Sequence, residues 1–384
     1  MIRSTPAMPL FRIIEMFIRN LSLFVSLLAI SVFLAADLRA ESSAGCGLTP
    51  PTSPGVSGNV SLAYGGLNRG YRLHLPPSYD PNTPMPIVMS THGYYSSGAT
   101  NESFTGLSNH ANANDYIVVY PESTSFYAGS YNGEWWGQVK SWNDLGCSQS
   151  PGPEGPLCVD PQWEDYYPCP TECGSCGPCE SCSCNDDVGF ISALLDDLES
   201  KLCLDLNRIY GVGYSNGAGF AHRLACTLDD RLAAVIPQHG ALPKGYNCAT
   251  DDRMPLLIIG GTNDTIIPID GSPSPSDGFV YSSMPDVAAG FAEAQGCDLL
   301  TSSYPTPADG TDALTCVQHD NCDNDAEVVF CQWNGGHDYP DGWGNDLFWT
   351  FLQNNARPVP EPSATLQMSL GLLSIFLLNR RKRA

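Results

Sequence analysis

The chain has 384 residues, 42% of them hydrophobic and 15% charged, which is enough for one large domain with its own core. Its formal net charge is −23. A surface this acidic repels nucleic acid and anionic membranes, so neither is expected as a partner of the folded part, and a neutral or insoluble substrate suits it.

Both ends differ from the middle in composition. Leu21 to Ala36 is a short apolar run behind Arg12 and Arg19. It is too short for a comfortable membrane span and has the layout of a secretory signal, assigned to residues 1–40, with cleavage after Ala40 or Ala44. At the other end, Val359-Pro360-Glu361-Pro362-Ser363 precedes an apolar stretch, Leu366 to Leu378, and the basic tail Arg380-Arg381-Lys382-Arg383. A short apolar helix with a basic stop transiently anchors an exported chain in the membrane. The segment 359–384 resembles a PEP-CTERM sorting signal. That resemblance implies an exosortase-type processing enzyme as partner and an extracellular or cell-surface location; a plain tail anchor is the alternative.

Residues 41–358 are read as one catalytic domain. Asn59 to Tyr64 and Gly70 to Leu75 read as a hairpin. Pro86 to Ser90 and Tyr116 to Tyr120 are mostly apolar and read as buried strands. Asp187 to Leu202 has helical spacing, with Phe190, Ile191, Leu194, Leu195 and Leu198 on one face. Strands follow at Arg208 to Gly213, Leu232 to Ile236, Pro255 to Ile259 and Glu327 to Phe330. Helices are expected at Asp286 to Gln295 and Asn345 to Asn355. Alternating helices and apolar strands give an α/β fold, a mostly parallel sheet covered by helices on both faces.

All 16 cysteines lie in the part expected to be exported. In an oxidising compartment they read as disulfides rather than zinc ligands. Residues 147–184 hold a dense cysteine cluster in a Pro/Gly/Ser-rich stretch without periodicity. They read as an insertion stapled by its own bridges, serving as a surface shield or as a lid or docking flap. Cys316 and Cys331 flank the turn-rich Asp320 to Asp325, as opposed positions on a hairpin do, and are expected to pair. That acidic turn lacks a full series of calcium ligands, and no metal or cofactor is expected.

Gly213-Tyr214-Ser215-Asn216-Gly217 lies between an apolar run and a helix-like stretch, Ala218 to Leu224. Strand, Gly-x-Ser-x-Gly and helix make a nucleophile elbow, with Ser215 as candidate nucleophile. A Cβ at Gly213 or Gly217 would collide with the neighbouring elements. Chemistry of this type needs an acid and then a histidine later in the chain, each after a strand. Asp264 follows the strand at Pro255, and His337 sits in the Gly335-Gly336-His337 loop after the strand at Glu327. Asp270 and Asp338 are the rival acids. The other histidines are weaker candidates: His74 is in a strand, His92 precedes a turn glycine, and His110, His222, His239 and His319 lack the strand-end setting. Two backbone N–H groups should bind the oxyanion: that of Asn216, and that of Tyr94 in the turn after the strand at Pro86. Trp135, Trp136 and Trp142, with Trp163, Tyr166 and Tyr167, form an aromatic cluster that is read as substrate contact or as core.

Tyr71-Arg72-Leu73-His74-Leu75-Pro76, His92-Gly93, Asp186 to Ile191, the Ser215 elbow, Gly261-Thr262-x-Asp264 and Gly335-Gly336-His337 occur in this order. Together they resemble the polyhydroxybutyrate depolymerase and feruloyl esterase family of secreted α/β-hydrolases, over roughly residues 59 to 355. The resemblance implies an α/β-hydrolase fold and metal-free hydrolysis of a carboxylic ester through an acyl-enzyme. The substrate expected is a feruloyl or acetyl ester on polysaccharide, or a polyester. Asp338-Tyr339 after the histidine and the long insertion depart from the family pattern, on the substrate side. A catalytically silent surface adhesin on the same fold is the alternative.

Overall fold

Alternation within single strands sets the two faces of the central sheet. Ile87 and Met89 face one core cluster, and Val88 between them faces the other. Ile117 and Val119 against Val118, and Leu256 and Ile258 against Leu257 and Ile259, divide the same way. Strands apolar on both faces need cover on both, and helices supply it.

The computed structural model describes residues 41–358, apart from 132–133, 148–149, 160–170, 175–178, 180–181, 248–249, 251, 277, 299, 307–313 and 341–342 and the side chains of 126–138 and 171. The expected signal, 1–40, and sorting segment, 359–384, lie outside the described residues. Ser42–Arg357 form one unit. Its strands are β1 (Ser57–Tyr64), β2 (Leu67–His74), β3 (Met85–Thr91), β4 (Ile117–Pro121), β5 (Thr124–Tyr131), β6 (Glu134–Ser141), β7 (Leu204–Tyr214), β8 (Ala234–Gln238), β9 (Leu256–Gly261), β10 (Thr301–Ser303), β11 (Leu314–His319) and β12 (Val328–Trp333). The α-helices are α1 (Gly98–Thr105), α2 (Leu107–Asn114), α3 (Asp187–Lys201), α4 (Asn216–Thr227), α5 (Met284–Ala294) and α6 (Trp343–Asn354).

Ten strands form one sheet in the order β1-β2-β4-β3-β7-β8-β9-β12-β11-β10, and β5 and β6 make a separate hairpin. From β4 to β12 neighbouring strands are parallel, with antiparallel pairs at both edges. This is the mostly parallel α/β-hydrolase sheet expected. Residues of α3, α4 and α5 (Phe190, Phe220 and Phe291) pack in one cluster, and those of α2 and α6 (Leu107, Leu347 and Phe351) in the other.

Cys147–Cys182, Cys158–Cys179 and Cys173–Cys184 are bridged within the segment 147–184, and among the described residues no cysteine is free. The segment docks on the loops after β8 and β9. Val280 donates its N–H to the Leu157 carbonyl at 2.9 Å, and Leu157 clusters with Tyr246 and Phe279. Cys46–Cys203 and Cys297–Cys322 tie further segments.

Cys316 and Cys331 are bridged and stand directly opposite each other on β11 and β12, as the turn between them suggested. The bridge braces the strand that leads to His337. Replacing both with Ser should lower the unfolding free energy by about 2–4 kcal/mol. Guanidinium denaturation reads this, and an unchanged midpoint would contradict it.

Candidate active site

The candidate nucleophile is set by backbone geometry before any side-chain contact. Ser215 has φ 57° and ψ −123°, outside the regions open to ordinary L-residues. Its own N–H is tied to the Gln238 carbonyl of β8 at 2.9 Å. The neighbouring glycines make the turn possible. A Cβ on Gly213 would sit 2.1 Å from the Gly217 carbonyl oxygen, and one on Gly217 would sit 2.4 Å from that of Thr91. Thr91 Oγ1 also donates to the Gly217 carbonyl at 3.0 Å, which closes the elbow onto β3.

The sheet brings the other two candidates to the same edge. His337 Nε2 lies 2.9 Å from Ser215 Oγ, and His337 Nδ1 lies 2.7 Å from Asp264 Oδ2. The second carboxylate oxygen accepts the N–H groups of Ile266 and Ile267, both at 2.9 Å. Burial pushes the Asp264 pKa up. Hydrogen bonding from His239 and His337 and the imidazole charge outweigh that, and the carboxyl titrates below the usual carboxylate range. The rivals stand elsewhere: Asp270 is exposed and accepts from Ser272, and Asp338 is exposed. The loops carrying Asp264 and His337 meet backbone to backbone at Gly261, where a Cβ would sit 2.4 Å from the carbonyl oxygens of both Gly335 and Gly336. Tyr214 Oη donates to the His337 carbonyl at 2.5 Å and fixes the loop from the elbow side.

Asn216 opens α4, so its N–H has no preceding helical carbonyl to bond. The Gly93–Tyr94 turn stands beside the nucleophile; a Cβ on Gly93 would lie 3.2 Å from Ser215 Cβ. Tyr94 is 40% exposed. His92 shapes this turn, a role its sequence setting did not suggest. It is buried, its Nδ1 donates to the Gly93 carbonyl at 2.8 Å, and its Nε2 accepts the Ser123 N–H at 3.2 Å. Burial lowers its pKa to about 4, so the ring is neutral and can act as donor and acceptor at once.

Trp142 takes the second of the two roles read for it, core. It is fully buried, stacked on Phe220 at 4.8 Å between centroids, and donates Nε1–H to the His92 carbonyl at 2.9 Å, beneath the turn. Its N–H donates to Asn216 Oδ1 at 2.8 Å, which ties the residue after the nucleophile to the end of β6. The next residue, Asn143, gives its N–H to Asp187 Oδ2, and Asp187 pairs with buried Arg69 at 2.7 Å. The side chains of Trp135 and Trp136, and residues Trp163, Tyr166 and Tyr167, lie outside the described residues.

A different aromatic site adjoins His337. Phe104, Trp333, Asp338, Tyr339 and Trp343 line a cleft of about 470 Å³. Phe104 stands edge-on to Tyr214 and Tyr339, and Trp333 edge-on to Trp343. Phe104 comes from α1, and the other four lie between the end of β12 and the start of α6, in a stretch that carries no motif. The position of Asp338-Tyr339 directly after the candidate histidine was the one available hint.

The model of the Dienelactone hydrolase family matches residues 185–281, a span that holds the elbow and Asp264 and ends before His337. The chain is 30% identical to Feruloyl esterase B of Piromyces equi over 47% of this chain and 33% of that protein, so it spans about a third of that relative's length. It is 25% identical to Feruloyl esterase C of Emericella nidulans over 86% of this chain and 97% of that protein. It is 26% identical to the Putative esterase NocK of Nocardia uniformis subsp. tsuyamanensis over 76% of each. Among solved structures, an acetyl xylan esterase from Aspergillus awamori aligns with TM-score 0.47 and 16% identity, over 78% of this chain and all of that one. The sheet, the elbow and the sequence likenesses support a serine-type carboxylic ester hydrolase.

The depressed Asp264 pKa makes a prediction about stability. A carboxyl whose folded pKa lies below its unfolded value stabilises the fold above about pH 4, and that contribution is lost as pH falls through the folded value. The difference in urea-unfolding free energy between wild type and Asp264→Asn should therefore narrow below about pH 4. A difference that stays constant from neutral pH to pH 3 would count against the assigned environment.

Proposed function

We propose that this chain is an exported serine esterase that hydrolyses esters of phenolic acids, of the feruloyl type, through an acyl-enzyme. The observation that carries the proposal is the line of hydrogen bonds from Ser215 Oγ through the His337 imidazole to Asp264. In this reading Ser215 Oγ attacks the ester carbonyl carbon while His337 Nε2 takes its proton. Asp264 holds the imidazole in the tautomer that accepts at Nε2 and stabilises its charged form. The carbonyl oxygen, now negative, is bound by the N–H groups of Asn216 and Tyr94, helped by the positive end of α4. Collapse of the tetrahedral intermediate breaks the C–O bond, and His337 returns the proton to the departing alkoxide. A water then repeats the attack on the acyl-Ser215 ester with His337 as base. It releases the acid and restores the serine.

The phenolic reading rests on two supports. A relative matched along nearly its whole length is named a feruloyl esterase. The cleft beside His337 is walled by Phe104, Trp333, Tyr339 and Trp343, whose ring faces and edges suit a planar aromatic acid. Export is supported by the disulfide content, since such bridges persist outside reducing compartments. Release through the PEP-CTERM-like segment, by an exosortase-type enzyme, completes the proposal.

Ser215→Ala should reduce hydrolysis of p-nitrophenyl acetate by about 10⁴-fold or more with an unchanged circular dichroism spectrum. Turnover within tenfold of wild type would reject the mechanism. Trp343→Ala tests the acyl class: kcat/KM for methyl ferulate should fall about tenfold, the size of one lost aromatic contact, while p-nitrophenyl acetate is little affected. A wild-type enzyme that cleaves acetyl or hydroxybutyrate esters but not methyl ferulate would reject the phenolic assignment.

A further inference from the structure

His239 is a buried titratable side chain that the mechanism above leaves without a task. It directly follows β8, and its N–H donates to the Ile259 carbonyl of β9 at 2.8 Å. Its φ of 50° lies in the left-handed region, which is unfavourable for a residue other than glycine and persists where the surroundings enforce it. The imidazole has no exposed surface. It stands edge-on to Trp333 and to His337, each 5.9 Å between centroids, and tilted against Tyr214 at 5.9 Å. Neither ring nitrogen makes a hydrogen bond of good geometry, a costly state for a buried polar group. The acceptor within reach is Asp264 Oδ2, 3.5 Å from His239 Nδ1.

The bonds around Asp264 leave one opening. Oδ1 accepts the Ile266 and Ile267 N–H groups, and Oδ2 accepts His337 Nδ1, so Oδ2 keeps one lone pair. His239 Nδ1 lies on that oxygen at the outer limit of hydrogen-bond distance. Bonds of this kind are commonly long before substrate binds and tighten in the loaded enzyme.

We propose that His239 is a positioning residue for the proposed ester hydrolysis, a second imidazole that donates Nδ1–H to Asp264 Oδ2 and holds the carboxylate in line with His337. The groups facing it are Asp264 from the loop after β9, His337 and Asp338 from the loop after β12, and Tyr214 from β7. Burial drives the His239 pKa down, so at neutral pH the ring is uncharged and donates as a neutral group. As His337 takes the Ser215 proton, a fourth hydrogen bond keeps Asp264 ionised beside the new imidazolium. No proton crosses to the acid, and no bond to His239 is made or broken.

Asparagine and leucine separate this role from simple packing. Asparagine tolerates positive φ and places an N–H near the position of Nδ1; leucine does neither. His239→Leu should lower kcat on p-nitrophenyl acetate by about 10- to 100-fold, the cost of an unmet buried partner, with KM within threefold. The acid limb of its kcat/KM profile should move to higher pH, because a less hydrogen-bonded Asp264 draws the proton onto His337. His239→Asn should recover most of kcat and the wild-type limb. Equal losses in both variants, or a leucine variant with wild-type kcat and profile, would overturn the proposal. A second measurement does not depend on the variants folding. Nitrogen-15 histidine spectra of the full chain should show His239 protonated at Nδ1, and a ring protonated only at Nε2 would also overturn it. The proposal rests on the esterase reading for its consequence. The tautomer is read without activity, so an inactive wild type would sink that reading and leave the tautomer result standing on its own.

Discussion

The backbone at Ser215 is the constraint on which the rest depends. A serine at φ 57° and ψ −123° is unfavourable in isolation. It is held there by contacts that leave no space to relax. Its N–H is bonded to β8, and Gly240 packs so closely that a Cβ there would lie 2.4 Å from the Ser215 carbonyl oxygen. The carbonyls of Thr91 and His92 press on Gly217 from β3. The elbow is therefore clamped between two neighbouring strands of the same sheet. Its geometry is only as firm as the β3–β7–β8 core beneath it, where Val88, Tyr210, Val212 and Ile236 are buried together.

That clamp explains why residues far apart in sequence meet. In a parallel sheet every carboxyl end lies on one edge, so the loops after β3, β7, β8, β9 and β12 converge. Each contributes one element of the site: the Gly93–Tyr94 turn, Ser215, His239, Asp264 and His337. The cysteine-stapled segment docks on the loops after β8 and β9, at Leu157 and Val280. The bridges do for this segment what its composition cannot. Pro, Gly and Ser supply little apolar area, and its small cluster of Leu157, Cys158 and Cys179 borrows Tyr246 and Phe279 from the main domain.

How far the molecule could be read from its sequence depended on where each residue's environment came from. The central strands were legible because burial on both faces leaves an unbroken apolar run, as in Ile87 to Met89 or Leu256 to Ile259. The helix at Asp187 was legible because one face alone is apolar. The helices Gly98–Thr105 and Leu107–Asn114 were not, since their sequences carry too few apolar residues for a period, and they are set by the Ser97 cap and the left-handed Gly106 between them. The β5–β6 hairpin and the short exposed β10 gave equally little signal. Ser215, Asp264 and His337 were visible because each follows a strand in the required order. Trp142 was left open between substrate contact and core because the cluster of aromatics carries no period, and its full burial beside Ser141 places it in the core. His239 follows a strand as well, but nothing in Gln238-His239-Gly240 signals that Asp264 lies across from it.

The same contrast separates the reaction from its substrate. The residues proposed for the chemistry are held by backbone: a strained serine, helix-end N–H groups, and loops packed glycine against carbonyl. Such contacts tolerate little change, which is why the motifs that mark them are short and dense in glycine. The cleft beside them is built instead from side chains, Phe104 of α1 and Trp333, Tyr339 and Trp343 of the stretch from the end of β12 to the start of α6. Each can change in size or polarity without moving the elbow. Trp333 belongs to both groups, since its ring lines the cleft and also packs edge-on against His239 behind Asp264. In the proposed reading, a change at Trp333 would therefore alter both the fit of the acyl group and the support of the acid. Phe104 packs on Tyr214 and Trp343 on Trp333, the two rings that also adjoin His239, so in the proposed reading a change at either bears first on fit and reaches the acid one ring removed.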